Sequence, residues 1–243
     1  MDNLIFIIGC GHSGTTILNK IIGNHKNIYG LDYETSIFEK LDDNGVLNKL
    51  SIYDNNRKSV KKKWICEKTP RHTYHLARIY KLANKPKIII VVRDGRDVIA
   101  SLFKRYMDFD KSINRWINDN FEWINYFLVK NNADLINNEN FHLVKYENFV
   151  SNPEIEIKKV CDFIKEEYDD NMLNYKKEQI LLPKNILKTR IDGKEHNLLR
   201  LYQINQDIYD GSGRYQKDLT EIQLNKIYSN ENFIYLMKLF DYL

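Results

Sequence analysis

A chain of 243 residues, 43% of them hydrophobic, is long enough for one large domain with a full core. Lys and Arg number 37 against 33 Asp and Glu, a net charge of +4 that lacks the basic excess of a nucleic-acid binder but accommodates anionic small ligands. Three widely spaced cysteines (Cys10, Cys66, Cys161) without a CxxC pair fit neither a disulfide scaffold nor a zinc site, so a reducing, cytoplasmic setting is expected.

In chain order, Leu4–Ile8 reads as a buried strand. Gly9 to Gly14 then forms a tight loop, and Thr15–Ile22 a helix. A short strand is expected near Asn27–Tyr29. The polar stretch 42–63 reads as a surface excursion or flexible lid. Strands over Trp64–Cys66, Lys87–Val92 and His142–Tyr146 alternate with helices over Thr73–Ala83, Asp97–Phe103, Ile113–Val129 and Pro153–Lys165. Leu219–Tyr242 reads as a final helix, and the irregular stretch 182–213 as a second segment that covers a site. No signal peptide and no apolar run of the roughly 20 residues needed to cross a bilayer is visible. The alternation implies an α/β, P-loop-like three-layer fold: a central parallel sheet flanked by helices, in a single domain spanning 1–243. In such sheets ligands bind beyond the carboxyl ends of the strands.

Four segments reach that edge. Gly9-Cys10-Gly11-His12-Ser13-Gly14-Thr15-Thr16 has the glycine spacing of an NTPase phosphate loop, with Thr15 where the lysine should be. Its backbone amides at a helix start still suit an anion. Arg93 ends the most apolar strand, and Asp97, Ser101 and Arg105 follow at helical spacing on one face. Two arginines and a hydroxyl make a phosphate clamp. An Arg93–Asp97 ion pair that fixes the helix start is the structural alternative, and Asp94 sits where NTPases carry a magnesium-binding Asp. Lys68, in Glu67-Lys68-Thr69-Pro70, stands at a strand end in reach of a sulfuryl or phosphoryl oxygen, unless it lies on a surface turn. Glu34, in Leu31-Asp32-Tyr33-Glu34-Thr35, occupies a position suited to a general base, or to a helix cap.

Together these segments resemble the sulfotransferase family that uses 3′-phosphoadenosine 5′-phosphosulfate (PAPS), most closely its bacterial-type and tyrosylprotein-like branch. The family's G-x-x-R-S-G-T-T is matched by Gly9 to Thr16 except at His12, and E-K-T-P by Glu67 to Pro70. R-D-x-R-D-V-x-x-S is matched by Arg93 to Ser101. Tyr146, Glu147, Phe149, Val150 and Pro153 match a further segment, as do Gly213, Arg214 and Tyr215.

The resemblance implies roles by position. The loop from Gly11 through His12, Ser13, Gly14, Thr15 and Thr16 would hold the 5′-phosphosulfate. Arg93 and Ser101, helped by Arg105, would hold the 3′-phosphate, with Tyr146 and Arg214 around the nucleotide. Lys68 would stabilise the departing phosphate, and Glu34 would be the base, since Pro70 fills the slot in which the cytosolic branch has a catalytic His. His12 replaces an Arg or Lys directed at the leaving group. The implied reaction yields adenosine 3′,5′-bisphosphate and needs no metal. The implied acceptor is a hydroxyl on a saccharide, lipid or small metabolite. A P-loop kinase or NTPase, or a non-catalytic nucleotide-binding module, is the alternative. His25, His72, His75, His142 and His196 read as packing or surface residues, and the aromatic Trp116–Phe127 stretch as helix core.

Overall fold

The structure, a computed structural model, describes residues 1–131, 139, 141–175 and 207–243. Residues 182–206 of the second expected cover, His196 among them, lie outside the described residues. Five parallel strands form one sheet: β1 (Leu4–Gly9), β2 (Ile28–Gly30), β3 (Trp64–Lys68), β4 (Lys87–Val92) and β5 (Phe141–Lys145), in the order β2-β3-β1-β4-β5. β1 sits at the centre, so its carboxyl end opens between β3 and β4. The register pairs Ile7 with Lys68 on one side and Gly9 with Val91 on the other.

Alternation along the pleat divides the core into two layers. Leu4, Phe6, Ile8, Ile88, Ile90 and Val92 pack on one face, against α4 (Leu76–Leu82), α5 (Gly95–Tyr106), α6 (Phe109–Ile124) and the C-terminal helices. Ile5, Ile7, Ile89 and Val91 pack on the other, against α1 (Thr15–Gly23) and α8 (Pro153–Ile164). Both faces of β1 and β4 are therefore buried, which is why these strands read as unbroken apolar runs. The three-layer α/β architecture expected from sequence is the one observed.

Some boundaries differ, each for a local reason. The stretch 42–63 is mostly helical: Asp42 caps Gly45 N at 2.7 Å and starts α3 (Asp43–Ser59), following the short α2 (Ile37–Lys40). Val46, Leu50 and Tyr53, spaced four and three apart, bury one stripe of this otherwise polar helix. The last helix is divided. Thr220 closes a capping box with Gln223, and Asn230 caps Phe233, so Glu221–Tyr228 and Glu231–Leu239 are separate helices. The segment after Lys68 begins as a 3₁₀ turn, Pro70–His75, before α4. β5 ends at Lys145, so Tyr146 opens a short helix, α7 (Tyr146–Ser151), instead of closing a strand. No helix among the described residues is long and apolar enough to cross a membrane.

Candidate active site

The loop after β1 turns at two glycines. Gly9 has φ of 136°, and a Cβ there would collide with the Val91 carbonyl oxygen on β4. Gly14 has φ of 93°, and a Cβ would come within 2.6 Å of the Tyr146 ring. Only glycine tolerates both the backbone and the contact. Between them His12 holds a left-handed φ of 71°. The Ser13 hydroxyl is buried and has no hydrogen-bond partner among the described residues. α1 then begins at Thr15 with no side-chain cap, so its first amides are left for an incoming acceptor.

Lys68 ends β3 beside this loop, and it is not on a surface turn: the residue is 2% exposed. Its Nζ donates to Glu34 Oε1 at 2.7 Å and to Thr16 Oγ1 at 3.1 Å. The structure thus joins three sequence-predicted residues from three separate segments. Glu34 remains the open end of the pair, with 35% of its side chain exposed.

A second cluster forms beyond β4. Arg93 donates through Nη1 to the His12 carbonyl at 3.2 Å and through Nη2 to the Gly211 carbonyl at 2.6 Å. Its guanidinium lies 4.2 Å from the centre of the Tyr146 ring, while its buried Nε has no partner among the described residues. The His12 ring bonds to Ser101 through Nδ1, at 2.7 Å from Oγ. His12 therefore lies on the Arg93–Ser101 side of the loop.

The Arg93–Asp97 ion pair is long, at 3.8 Å. Asp97 is occupied instead by the backbone amides of Gly213 and Tyr215, both at 2.9 Å. Burial pushes its carboxyl above the ordinary value, against those two donors and Arg93. Its role is to draw the segment 211–215 over Arg93. Asp94 is not free for a metal: it caps α5 and pairs with Arg96 at 2.5 Å.

Two predicted residues stay outside this cluster. Arg105 is exposed on the last turn of α5 and makes no ion pair among the described residues. Arg214 pairs with Asp218 one turn further on, at 3.0 Å. Burial raises the Tyr146 phenol, whose hydroxyl donates to the Tyr209 carbonyl at 3.2 Å.

The sequence reading gave no role to Thr35, Thr69 or Asp119. Asp119 is fully buried on α6 and accepts from Tyr74 at 2.8 Å and Arg115 at 2.6 Å. Burial raises it above the usual carboxylate range, beside Cys10 of the loop. A carboxylate on an aromatic helix carries no local signal of such a contact. His72 is fully buried against Phe6 and Phe38, with its Nδ1 3.0 Å from Glu67 Oε2.

The Sulfotransferase family profile matches residues 47–170, about half of the chain, and the chain belongs to that family. Lys68, Arg93, Ser101 and Tyr146 fall inside the match, whereas the loop Gly9–Thr16, Glu34 and Arg214 fall outside it. No curated protein matches the sequence. Among solved structures, the sulfotransferase domain from the curacin biosynthetic pathway superposes with a TM-score of 0.66 at 16% identity, covering 99% of this chain and 98% of that one. The sulfotransferase domain of the Synechococcus PCC 7002 olefin synthase gives 0.58 at 19% identity, with 95% of each chain covered. Mouse sulfotransferase SULT7A1, complexed with PAP, gives 0.61 at 16% identity, covering 97% of this chain and 85% of that one. At such identities the likeness is one of fold.

Proposed function

We propose that this chain is a PAPS-dependent sulfotransferase acting on a hydroxyl acceptor. The observation that carries the reading is the Lys68–Glu34 pair, 2.7 Å apart at the strand ends and bonded to the phosphate loop through Thr16. It sets a cation and a carboxylate side by side next to an anion cradle, the arrangement needed to protonate or screen a leaving oxygen and to deprotonate an attacking one.

The residues fit a nucleotide with a phosphate at each end. Ser13 Oγ and the uncapped amides of α1 suit the 5′ group. Arg93, whose Nε is an orphan buried donor, and Ser101 suit the 3′-phosphate. When bound, PAPS supplies an activated sulfuryl group. Glu34, with about a third of its side chain exposed, accepts the proton of the acceptor hydroxyl. Lys68 holds positive charge where the leaving phosphate gains negative charge, and its near-complete burial strengthens that interaction. Arg93, stacked on Tyr146 and tethered to the loop carbonyl, fixes the spacing of the two anion sites. His12 joins the loop to the Arg93–Ser101 side through the contact of its Nδ1 with Ser101 Oγ.

The acceptor we propose is a hydroxyl of a saccharide, lipid or small metabolite. Work in a reducing compartment is supported by three free, buried cysteines. The test is calorimetric titration with adenosine 3′,5′-bisphosphate and transfer of radiolabelled sulfate from PAPS to a panel of hydroxyl compounds. At a hundredfold excess over Kd, the bisphosphate is expected to stabilise the fold by about 2.7 kcal/mol. Absence of binding, or ATP binding that depends on magnesium, would overturn the proposal.

A further inference from the structure

One buried carboxylate next to the reacting pair has no part in the chemistry above. Glu67 precedes Lys68 on β3 and is 2% exposed. Its Oε1 accepts from Thr35 Oγ1 at 2.8 Å, Thr69 Oγ1 at 2.5 Å and Thr35 N at 3.3 Å. Its Oε2 lies 3.0 Å from Nδ1 of the buried His72. The Thr69 hydroxyl in turn accepts from Ser36 N at 3.2 Å.

The two threonines are the chain neighbours of Glu34 and Lys68. Residues 31–36 belong to no helix or strand, and Ser36 at their end has a left-handed φ of 50°. Leu31 still donates its amide to the Cys66 carbonyl of β3 at 2.9 Å, but beyond it the backbone of 32–36 has left the sheet, so the placing of Glu34 depends on bonds like these. A buried charge persists only where donors satisfy it. Burial favours the neutral acid, yet His72 and the two threonine hydroxyls together hold the Glu67 carboxyl below its ordinary value.

We propose that Glu67 is a positioning residue, whose carboxylate fastens the Glu34-bearing segment to the Lys68-bearing strand end and so sets the distance between base and cation. The inference rests on the assignment of Glu34 and Lys68 as the reacting pair. Without the link, Lys68 keeps its strand position and its bond to Thr16, while the Glu34-bearing segment loses its tie to the strand end.

Thr35→Val removes one hydroxyl at nearly constant volume, and Glu67→Gln removes the charge. Both are compared with Thr35→Ser in three measurements: bisphosphate affinity, the rate of sulfate release from PAPS with water as acceptor, and a crystal structure with bisphosphate bound. In Thr35→Val the release rate is expected to fall at least tenfold with the bisphosphate Kd unchanged within twofold. Glu34 should move out of hydrogen-bond reach of Lys68, and Thr35→Ser should restore both. A Thr35→Val crystal in which Glu34 still bonds Lys68, or an unchanged release rate, overturns the positioning role. Glu34→Gln separates the two ideas. If it releases sulfate at the normal rate, the assignment of the base fails. If it is slow while Thr35→Val is normal, only the positioning role fails.

Discussion

Replacing Lys68 by Met keeps the length of a buried side chain and removes its charge. Two scales then separate. Lys68 is 2% exposed and bonds Glu34 and Thr16. Stranding one partner of a fully buried pair costs about 3–5 kcal/mol. Here the Glu34 side chain is 35% exposed, so its carboxylate rehydrates and the expected loss is nearer ~1 kcal/mol. In a domain of this size that lowers Tm by about 2–4 °C. Transfer is hit much harder. A donor placed where charge develops is worth about 10²–10³ in turnover, or roughly 3–4 kcal/mol. Lys68→Met should therefore stay folded, bind adenosine 3′,5′-bisphosphate with a Kd raised no more than about tenfold, and transfer labelled sulfate about 10²–10³ times more slowly. Calorimetry, thermal unfolding and a single-turnover assay measure the three quantities. A folded Lys68→Met enzyme working within threefold of the parent rate would refute the role given to this residue.

Arg93→Ala should abolish discrimination between adenosine 3′,5′-bisphosphate and adenosine 5′-monophosphate. A charge-assisted hydrogen bond is worth about 1.5–3 kcal/mol, so the expected loss is roughly 10- to 100-fold in affinity for the bisphosphate alone. Equal losses for both nucleotides would remove Arg93 from the 3′-phosphate site. Acid stability should depend on Glu166. Burial alone would raise its carboxyl, but bonds from Lys63, Asn27 and Trp64 override this and hold it at about 2, against an ordinary 4.5. The folded value lies below the unfolded one, so the stabilisation is complete above about pH 4.5 and is lost as pH falls toward 2. At 1.36 kcal/mol per pH unit this is on the order of 3 kcal/mol, and about half that once solvent screening is allowed for. Between those pH values, wild-type Tm should fall more steeply than that of Glu166→Gln. Parallel curves would contradict this.

The sequence by itself determined the layered fold and most of the anion-binding edge. The runs Leu4–Gly9 and Lys87–Val92 are apolar on both faces, a pattern that only a strand covered on both sides satisfies. Gly9 and Gly14 announced the loop because their backbone angles exclude other residues. Lys68, Arg93 and Ser101 were legible as strand-end and helix-face positions, but their roles came from the resemblance of Glu67–Pro70 and Arg93–Ser101 to sulfotransferase motifs. The helix α3 was not, since three buried residues on a 17-residue polar segment leave a faint stripe, and its cap is a lone Asp42. The pairing of Arg214 with Asp218, four residues on, is local. Long-range pairings by contrast left no periodic trace. The bond of Lys68 to Glu34 spans 34 residues and that of His12 to Ser101 spans 89. Nor does the neighbourhood of Glu67 in the chain mark it as the tie between two strand ends. Those relations exist only once parallel strands bring their carboxyl ends to one edge, because a side chain's partners there are set by sheet order, which no local stretch of sequence encodes.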